Sequence, residues 1–560
     1  MRVGVVIPKQ SATVGGGFTF HVTVLEALSR ITTDHELLLL DIDGSGASVW
    51  AKAGLPLIDV QAILAVGGPA VPEVRGVETA ARKLGLDVVW YLDPAAEVLS
   101  VPVFATVLDL AHRQHPFFPE VSGGLEWEAR EKHYSAVLPR AARIFTGTQV
   151  GKDQVVRCYG VNPTSVVVNP LPTPVLASPD DNLDDDEVLV RHALKPGFLF
   201  YPAQLWSHKN HVNLLLALKR LETEQGLSPE LVLTGTDKGN SSHVLGVATE
   251  LGLQQRVHFL GFVSNSDVAA LYRCAAALVY PSFFGPDNLP PLEAFSLGCP
   301  VLAGRIEGVE EQLGNAALEP MKEEVVWRFR SLSNLLLKRF QRSAPESPPD
   351  PRKSGFAGYF DPTQPEDIAA AIARVLCDVD FRTTLIEYGH ALVAKRTPEA
   401  YVQVVLDALD EFEPWRRNWP ASVFQAPLSV SRFPTDLVDP ALMYAGVYVD
   451  GWLSQSSFFV LRAEPESVQL AVRGEVPLIG DSNFSTELSI SMDGQPLVLA
   501  KFDAGKFEIM TDAPNRQGLH RIELSFSNLQ RLPDPDLRLI GARLEFIGFK
   551  DAAALPESTE

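Results

Sequence analysis

The chain has 560 residues, 46% of them hydrophobic and 21% charged, and its 48 Lys and Arg against 69 Asp and Glu give a net charge of −21. That length predicts roughly three to four globular domains. The acidic balance excludes a general nucleic-acid-binding surface, which needs a basic face, but it allows a local group of cations for one phosphate ligand.

The four cysteines, at 158, 274, 299 and 377, have no metal-ligand spacing, which predicts a reducing compartment. The first ten residues contain an apolar run that is too short for a signal peptide and is typical of a first strand. No apolar stretch is long enough to cross a bilayer. We therefore expect a cytoplasmic chain.

Residues 1–173 alternate short apolar runs with helical patterns, which predicts a mainly parallel sheet covered on both faces. The strand candidates are RVGVVIP, ELLLLD, DVVWYL, VFATV, RIFTG and SVVVN. An acid-rich connector follows over 174–196 and reads as a solvated linker.

The same alternation restarts over residues 197–415, where the strand candidates are GFLFYPA, LVLTG, VHFLG, ALVYPS and PVLAG. The sequence thus predicts an α/β chain with two Rossmann-like domains in series. Ligands of such sheets bind beyond the carboxyl ends of the strands, so two facing units would place a substrate in the cleft between them.

Residues 320–357 interrupt the second unit with a basic amphipathic stretch followed by a proline-rich loop. One interpretation is a helix that binds a membrane surface or a partner protein. The other is a helix whose apolar face packs on the core while its basic residues face solvent.

Residues 421–560 change to period-2 alternation between turn residues, which is typical of an all-β antiparallel sandwich. The runs VQLAVRG, TELSISMDG, KFEIMT, HRIELSFS and ARLEFIGF carry this pattern. Trp452 in this region could stack on a sugar ring or lie in the core.

The stretch YPAQLWSHKNH, residues 201–211, places His208 and Lys209 where a helix begins, although cations are disfavoured there. A phosphate that takes the helix N–H groups would explain Lys209, whose ammonium would add a point charge. Alternatively, Lys209 extends into solvent. Ser207 is the expected N-cap.

A second helix start follows the strand-like ALVYPS, within FFGPDNLPPLEAF. Pro290 and Pro291 suit a first helical turn, so Glu293 should lie near the cleft. A carboxylate there can accept a vicinal pair of ribose hydroxyls, or simply interact with the helix dipole. A third element, the glycine triplet Gly15, Gly16 and Gly17, follows the first strand. Glycines allow the backbone to approach a ligand closely, but a flexible surface loop is the alternative interpretation.

Together these residues resemble glycosyltransferase family 4, whose members are retaining, nucleotide-sugar-dependent enzymes of the GT-B fold that need no metal. The resemblance covers residues 1 to about 415 and rests on YPAQLWSHKNHVNLLLAL, LVLTGTDKGN, ALVYPSFFGPDNLPPLEAFSLGCPV, EGVEEQLGNAAL and YFDPTQPEDIAAAI. The run DLAHRQHPFFPEVSGGLEWEAREKHY is similar to a bacterial branch that builds surface polysaccharides, often from GDP-mannose-type donors. Residues 320–357 look like an insertion in the family pattern. Residues 421–560 resemble galactose-binding-like jelly rolls, which implies a carbohydrate-binding or assembly module.

The resemblance implies a role for each motif. Lys209 would bind the donor pyrophosphate under the Gly15–Gly17 loop, and Glu293 would hold the ribose. Asp287, Asn288 and Leu289 would meet the transferred sugar and the phosphates, largely through backbone.

The sequence departs from the family pattern at three places. Gly285 stands where the family commonly has a second Glu. Gln204 replaces an Arg, which leaves Lys238 as a candidate second cation. The family's His-Asp pair reads Leu108-Asp109, with His112 one helical turn on; Asp109 or His112 would touch the sugar or acceptor, unless His112 is structural.

The expected activity is transfer of a hexose, with mannose from GDP-mannose as the first choice, to a growing bacterial surface glycan such as O-antigen. We expect a GDP-sugar as the donor in preference to UDP- or dTDP-sugars, and a glycan or a lipid-linked glycan as the acceptor. The chain could contact the inner membrane peripherally. We expect no cofactor. The alternative is a glycan-binding scaffold that has lost catalysis; Gly285 and Leu108 favour it, whereas Lys209 and Glu293 favour an enzyme.

Overall fold

The computed structural model describes most of the chain. The described residues are 1–7, 16–42, 54–65, 76–123, 126–176, 184–314, 358–419, 426–439, 442–464, 467–479, 483–512, 518–533, 536 and 538–551. Gly15 and the segment 320–357 lie outside them. Within the described residues, no helix combines the length and the apolarity that a membrane crossing requires.

The N-terminal unit contains a seven-stranded, fully parallel sheet in the order β3-β2-β1-β4-β5-β6-β7. Its strands are β1 (Arg2–Ile7), β2 (Glu36–Asp41), β3 (Leu57–Asp59), β4 (Val88–Tyr91), β5 (Val103–Val107), β6 (Arg143–Thr146) and β7 (Val166–Val168). The six strands expected from the sequence are confirmed. The short β3 carried too little apolar pattern to be recognised.

Helices cover both faces of this sheet, which is why its strands are apolar on both sides. They are α1 (Gly16–Arg30), α2 (Val60–Ala65), α3 (Gly76–Leu84), α4 (Ala111–Gln114), α5 (Pro119–Ser122), α6 (Glu126–Val137) and α7 (Gln149–Tyr159). Helix α7 shows the local signals well: the Thr148 side chain accepts the Gly151 N–H at its start, and Gly160 ends it at φ 61°.

The second unit contains a six-stranded parallel sheet in the order β10-β9-β8-β11-β12-β13. Its strands are β8 (Leu199–Pro202), β9 (Leu231–Thr234), β10 (Val257–Phe259), β11 (Ala277–Tyr280), β12 (Val301–Gly304) and β13 (Tyr359–Phe360). Its helices are α9 (His211–Gln225), α10 (Ser241–Glu250), α11 (Asn265–Cys274), α12 (Leu289–Ser296), α13 (Val309–Leu313), α14 (Pro365–Cys377) and α15 (Val379–Val393). The expectation of two Rossmann-like units is thus confirmed.

Two segments differ from the domain boundaries expected from the sequence. Within the acidic connector, residues Asp185–Arg191 form a helix, here α8, whose Val188 and Leu189 are buried. The last α/β helix, α16 (Pro398–Phe412), packs into the core of the N-terminal unit beside α1. Its apolar face needs burial, and the N-terminal sheet supplies the surface.

The C-terminal region forms two antiparallel sheets that enclose one apolar core, which confirms the expected β-sandwich. Its strands are β14 (Ser429–Val430), β15 (Met443–Val447), β16 (Leu453–Ala463), β17 (Ser467–Val476), β18 (Ser485–Met492), β19 (Gln495–Asp503), β20 (Gly505–Asp512), β21 (Gly518–Phe526), β22 (Gln530–Arg531), β23 (Leu539–Ile540) and β24 (Arg543–Asp551). The orders of the two large sheets are β14-β24-β17-β20 and β15-β16-β21-β18-β19, and β22 pairs with β23 in a separate two-stranded antiparallel sheet. Trp452 is half-buried. The sandwich contacts the N-terminal unit where the Lys132 ammonium lies 3.6 Å from the centre of the Tyr444 ring.

Candidate functional site

A cavity of about 730 Å³ lies between the two Rossmann-like units. Loops that follow parallel strands of both sheets line it, as expected for the carboxyl edges of such sheets. The sequence-predicted residues in its lining are Gly16, Gly17, Leu108, Asp109, Gln204, Lys209, Asp287, Asn288, Leu289 and Glu293. The volume falls within the roughly 300–1,000 Å³ of small-molecule sites.

Lys209 ends a short 3₁₀ turn, Ser207–Lys209, that precedes α9. Its ammonium donates a hydrogen bond to the Tyr280 hydroxyl at 2.9 Å. Because this partner is a neutral phenol rather than a carboxylate, the hydrogen bond does not itself offset the positive charge of Lys209. The arrangement is suited to an anionic ligand.

The expected N-cap at Ser207 is wrong. The long helix α9 begins at His211, and Asn210 precedes it in a left-handed conformation at φ 58° without a side-chain cap bond. The Asn210 amide donates instead to the Pro281 and Pro362 carbonyls, at 2.9 and 2.7 Å. Lys209 therefore lies in a separate 3₁₀ turn and is not part of the helix that follows.

Glu293 lies in α12 and is 7% exposed. The Tyr272 hydroxyl donates a hydrogen bond to one of its carboxylate oxygens at 3.0 Å. Burial raises the pKa of Glu293 to about 7, against the opposing effect of that hydrogen bond. The cavity thus contains a carboxyl group whose charge changes near neutral pH.

The loop before α12 joins the two units. The Asp287 carboxylate accepts the Leu171 N–H at 3.0 Å, and a β-carbon added to Gly147 would lie 2.2 Å from the same oxygen. Burial raises the pKa of Asp287 to about 6, while Arg396 opposes the shift. Asn288 accepts from the Tyr280 hydroxyl at 2.8 Å. These side chains therefore hold the loop in place beside the cavity.

In the N-terminal unit, Gly16 and Gly17 open α1 at the cavity. Asp109 also lines the cavity, and its carboxylate accepts the Ala111 N–H at 2.8 Å. His112 does not line it. Its ring is fully buried, stacks on Tyr134 and lies 3.4 Å from the Glu131 carboxylate, while burial lowers its pKa.

Gln204 and Lys238 lie on either side of Trp206. The Gln204 side-chain oxygen accepts the Trp206 indole N–H at 2.9 Å and lines the cavity. Lys238 is exposed, with its ammonium 5.6 Å from the centre of the Trp206 ring, and is not part of the lining. The structure therefore brings Gln204 into the site and leaves Lys238 outside the cavity wall.

One contact across the cleft had not been expected. The Glu120 carboxylate of α5 accepts the His208 backbone N–H at 2.8 Å and also contacts the His208 ring. Burial, reinforced by Lys209, lowers the pKa of His208 to about 2, so this ring is neutral. It stacks on Phe284 with ring centres 4.1 Å apart. An acid and a histidine 88 positions apart carry no joint pattern in the sequence.

A group of potential metal ligands lies elsewhere. Among the described residues, His35, Asp410 and Glu413 have ligand atoms within 4.8 Å of one another, and none of the three lines the cavity. The amino group of Met1 lies 3.1 Å from the His35 ring nitrogen Nδ1. This group is therefore separate from the candidate site.

Comparison with solved structures identifies the class of fold. The crystal structure of Anabaena HepE in complex with UDP and glucose aligns with a TM-score of 0.52 over 73% of this chain and 100% of that one, at 17% identity. Together with the two parallel sheets that face one cleft, this likeness establishes a GT-B-like pair of Rossmann domains.

Sequence comparison points to a family within that class. The family model for "Glycosyl transferases group 1" matches residues 186–331. The chain is 29% identical over 190 residues to O-antigen chain mannosyltransferase B of Escherichia coli, and 26% identical over 183 residues to O-antigen chain mannosyltransferase RfbU of Salmonella typhimurium. These alignments cover 34% and 32% of this chain. The chain spans about half the length of these curated relatives, 50% and 47%. Residues 186–331 are thus similar to group 1 glycosyltransferases, and they lie on a GT-B-like fold.

Proposed function

We propose that the protein is a retaining glycosyltransferase that moves a hexose from a nucleotide sugar to a growing bacterial surface glycan. The observation that carries this proposal is the convergence of Lys209, Glu293 and the glycine start of α1 on one 730 Å³ cavity between the two units. A cation, a hydroxyl-binding carboxyl group and a closely approaching backbone are the groups that a sugar nucleotide requires.

Each group has a task in the proposed complex. The Lys209 ammonium, 2.9 Å from a neutral phenol, neutralises the donor diphosphate. Ionised Glu293 accepts hydrogen bonds from two ribose hydroxyls, and the N–H groups at the start of α1 approach the phosphates.

The transfer step is a same-face displacement. The acceptor hydroxyl oxygen bonds to the anomeric carbon as the bond from that carbon to the diphosphate oxygen breaks. The departing diphosphate takes the hydroxyl proton, and Lys209 stabilises the negative charge that develops there. In this proposal the protein supplies orientation and charge, with no metal ion and no covalent intermediate.

Mannose is the proposed sugar because the curated relatives are named mannosyltransferases. The preference for GDP rests on the family resemblance alone, whereas the Anabaena structural neighbour holds UDP. The proposed acceptor is an O-antigen-type glycan on the cytoplasmic side of the inner membrane.

Release of nucleoside diphosphate from a panel of GDP-, UDP- and dTDP-sugars tests the proposal. Lys209→Ala should lower kcat/KM for the productive donor roughly 10- to 150-fold, since a hydrogen bond to a charged group contributes about 1.5–3 kcal/mol. Lys195→Ala, which removes an exposed cation outside the cavity, is the matched control. Turnover that survives Lys209→Ala, or the absence of turnover with every donor, would refute the proposal; glycan binding without turnover would favour the scaffold.

A further inference from the structure

A second cavity of about 290 Å³ lies beside the main one and is called the side pocket here. The two cavities share Asp109, Phe284, Gly285 and Pro286 in their linings. The shared loop leads directly into residues 287–289, which the family resemblance assigns to the transferred sugar and the phosphates. The side pocket therefore adjoins the sugar end of the donor.

Polar side chains from both units line the side pocket: Gln114, Gln154, Arg305, Glu307, Asp361 and Thr363. The Gln154 amide donates to the Glu307 carboxylate at 3.3 Å, so the two walls are in contact across the cleft. Amides and carboxylates offer several donors and acceptors in fixed planes, which is what adjacent sugar hydroxyls need.

The charges of the side pocket discriminate between two parts of a lipid-linked acceptor. Asp109, Glu307 and Asp361 contribute three carboxylates, against the guanidinium of Arg305. His115 also lines the side pocket, and burial lowers the pKa of its ring, which favours the neutral form. The Arg305 guanidinium also lies 3.1 Å from the Glu310 carboxylate, and the Asp109 carboxylate lies 3.4 Å from the Arg130 guanidinium. The two outside pairings offset each other, so the lining keeps an excess of negative charge. A lipid diphosphate would meet like charge here, whereas a neutral sugar would meet hydrogen-bonding groups and apolar side chains such as Phe284 without electrostatic repulsion.

Size gives a second constraint. About 290 Å³ is at the lower limit of the roughly 300–1,000 Å³ typical of small-molecule sites. The side pocket thus suits one monosaccharide unit rather than an oligosaccharide, while the remaining acceptor extends into solvent.

We propose that the side pocket holds the neutral, non-reducing terminal sugar of the acceptor, so that the protein recognises a glycan end and not a lipid diphosphate. This inference rests on the proposed function and names the acceptor chemistry of the same site. It assigns acceptor binding to Glu307, Asp361 and Gln154.

Thr363→Trp tests the assignment because it fills the side pocket from an exposed position. Both hydrogen bonds of the Thr363 hydroxyl are to nearby residues in the chain: it donates to Asp361 at 2.6 Å and accepts from the Gln364 amide at 3.2 Å. The fold should therefore tolerate the change. Thr383→Trp, at an exposed residue of α15 outside both cavities, is the matched control.

Binding of three neutral trisaccharides, α-mannotriose, maltotriose and globotriose, is measured to the full chain by calorimetry with GDP and with UDP present. We expect at least one trisaccharide to bind and Thr363→Trp to weaken it at least tenfold. Donor hydrolysis without acceptor should stay within twofold, and Thr383→Trp should match the wild type. No binding of any trisaccharide, equal binding by Thr363→Trp, or displacement of the trisaccharide by a soluble prenyl diphosphate would each overturn the assignment.

The two proposals fail in different ways. Trisaccharide binding that Thr363→Trp abolishes, in a protein that releases no nucleoside diphosphate from any donor, would keep the side pocket as a glycan site and refute the transferase. Donor turnover by the wild type, together with unaltered trisaccharide binding in Thr363→Trp, would keep the transferase and refute the side pocket as a glycan site.

Discussion

Replacing Glu293 by Gln should stabilise the protein at alkaline pH while it impairs the proposed reaction. The amide keeps the size of the side chain and an oxygen that can accept from Tyr272, 3.0 Å away. It cannot ionise. The substitution therefore isolates the energetic effect of burying one negative charge.

The direction follows from the raised pKa. In the folded protein, burial raises the pKa of Glu293 from 4.5 to about 7, so between these pH values the folded state binds more protons than the unfolded state. Stability contributed by this group therefore falls as pH rises through that window. From pH 5 to pH 8, ionisation of Glu293 should lower the free energy of unfolding of the wild type by about 2.5 kcal/mol. Glu293→Gln should not show this decrease.

Scanning calorimetry at pH 5 and pH 8 measures this difference. The unfolding temperature of Glu293→Gln minus that of the wild type should be about 5–10 °C higher at pH 8 than at pH 5, for a unit of this size. Any fixed cost of the amide is the same at both pH values and cancels. Glu250→Gln, at an exposed position, should show no such difference. A shift for Glu293→Gln that is equal at both pH values would refute the reasoning.

Ligand binding should show the opposite pH dependence. If the ionised carboxylate binds the ribose hydroxyls, a group with a pKa of about 7 makes nucleotide affinity roughly tenfold higher at pH 8 than at pH 6. Titration calorimetry with the productive nucleoside diphosphate measures it. In Glu293→Gln, affinity should be lower and its pH dependence lost.

Three further substitutions separate positioning from binding. Gly147→Ala should lower kcat/KM at least tenfold and stability by about 1–3 kcal/mol, because its β-carbon would lie 2.2 Å from the Asp287 carboxylate; kinetics and thermal unfolding measure both. Lys238→Ala should change the nucleotide dissociation constant less than twofold, since this exposed cation lies beside Trp206 outside the cavity lining. His112→Asn should destabilise the fold by about 1–3 kcal/mol yet leave kcat/KM of the folded protein within threefold, because the ring is fully buried.

Each of these has a result that contradicts it. Gly246→Ala, a helical position with open space around it, is the control for Gly147 and should not lower activity. A large loss of affinity in Lys238→Ala would mean that this cation reaches the phosphates. A stable but inactive His112→Asn would restore a direct catalytic role to that ring.

The sequence by itself determined the elements that place Lys209 and Glu293. Apolar runs identify the strands, proline and glycine mark the helix starts, and parallel sheets open at their carboxyl ends, so both residues could be assigned to the cleft before any fold was known. Local signals suffice here because Lys209 lies in the turn that follows β8 and Glu293 lies in the helix that follows β11. The β-sandwich was likewise evident from period-2 alternation.

The tertiary structure alone decided which neighbours these residues have. Nothing local distinguishes buried His112 from Asp109, three residues earlier, which lines the cavity. The Asp287–Leu171 and Glu120–His208 contacts join residues 116 and 88 positions apart, and α16 returns to the N-terminal core because its apolar face is buried there. Hydrophobic periodicity records which face of an element is buried, but not which distant surface covers it. That choice depends on how the whole chain packs.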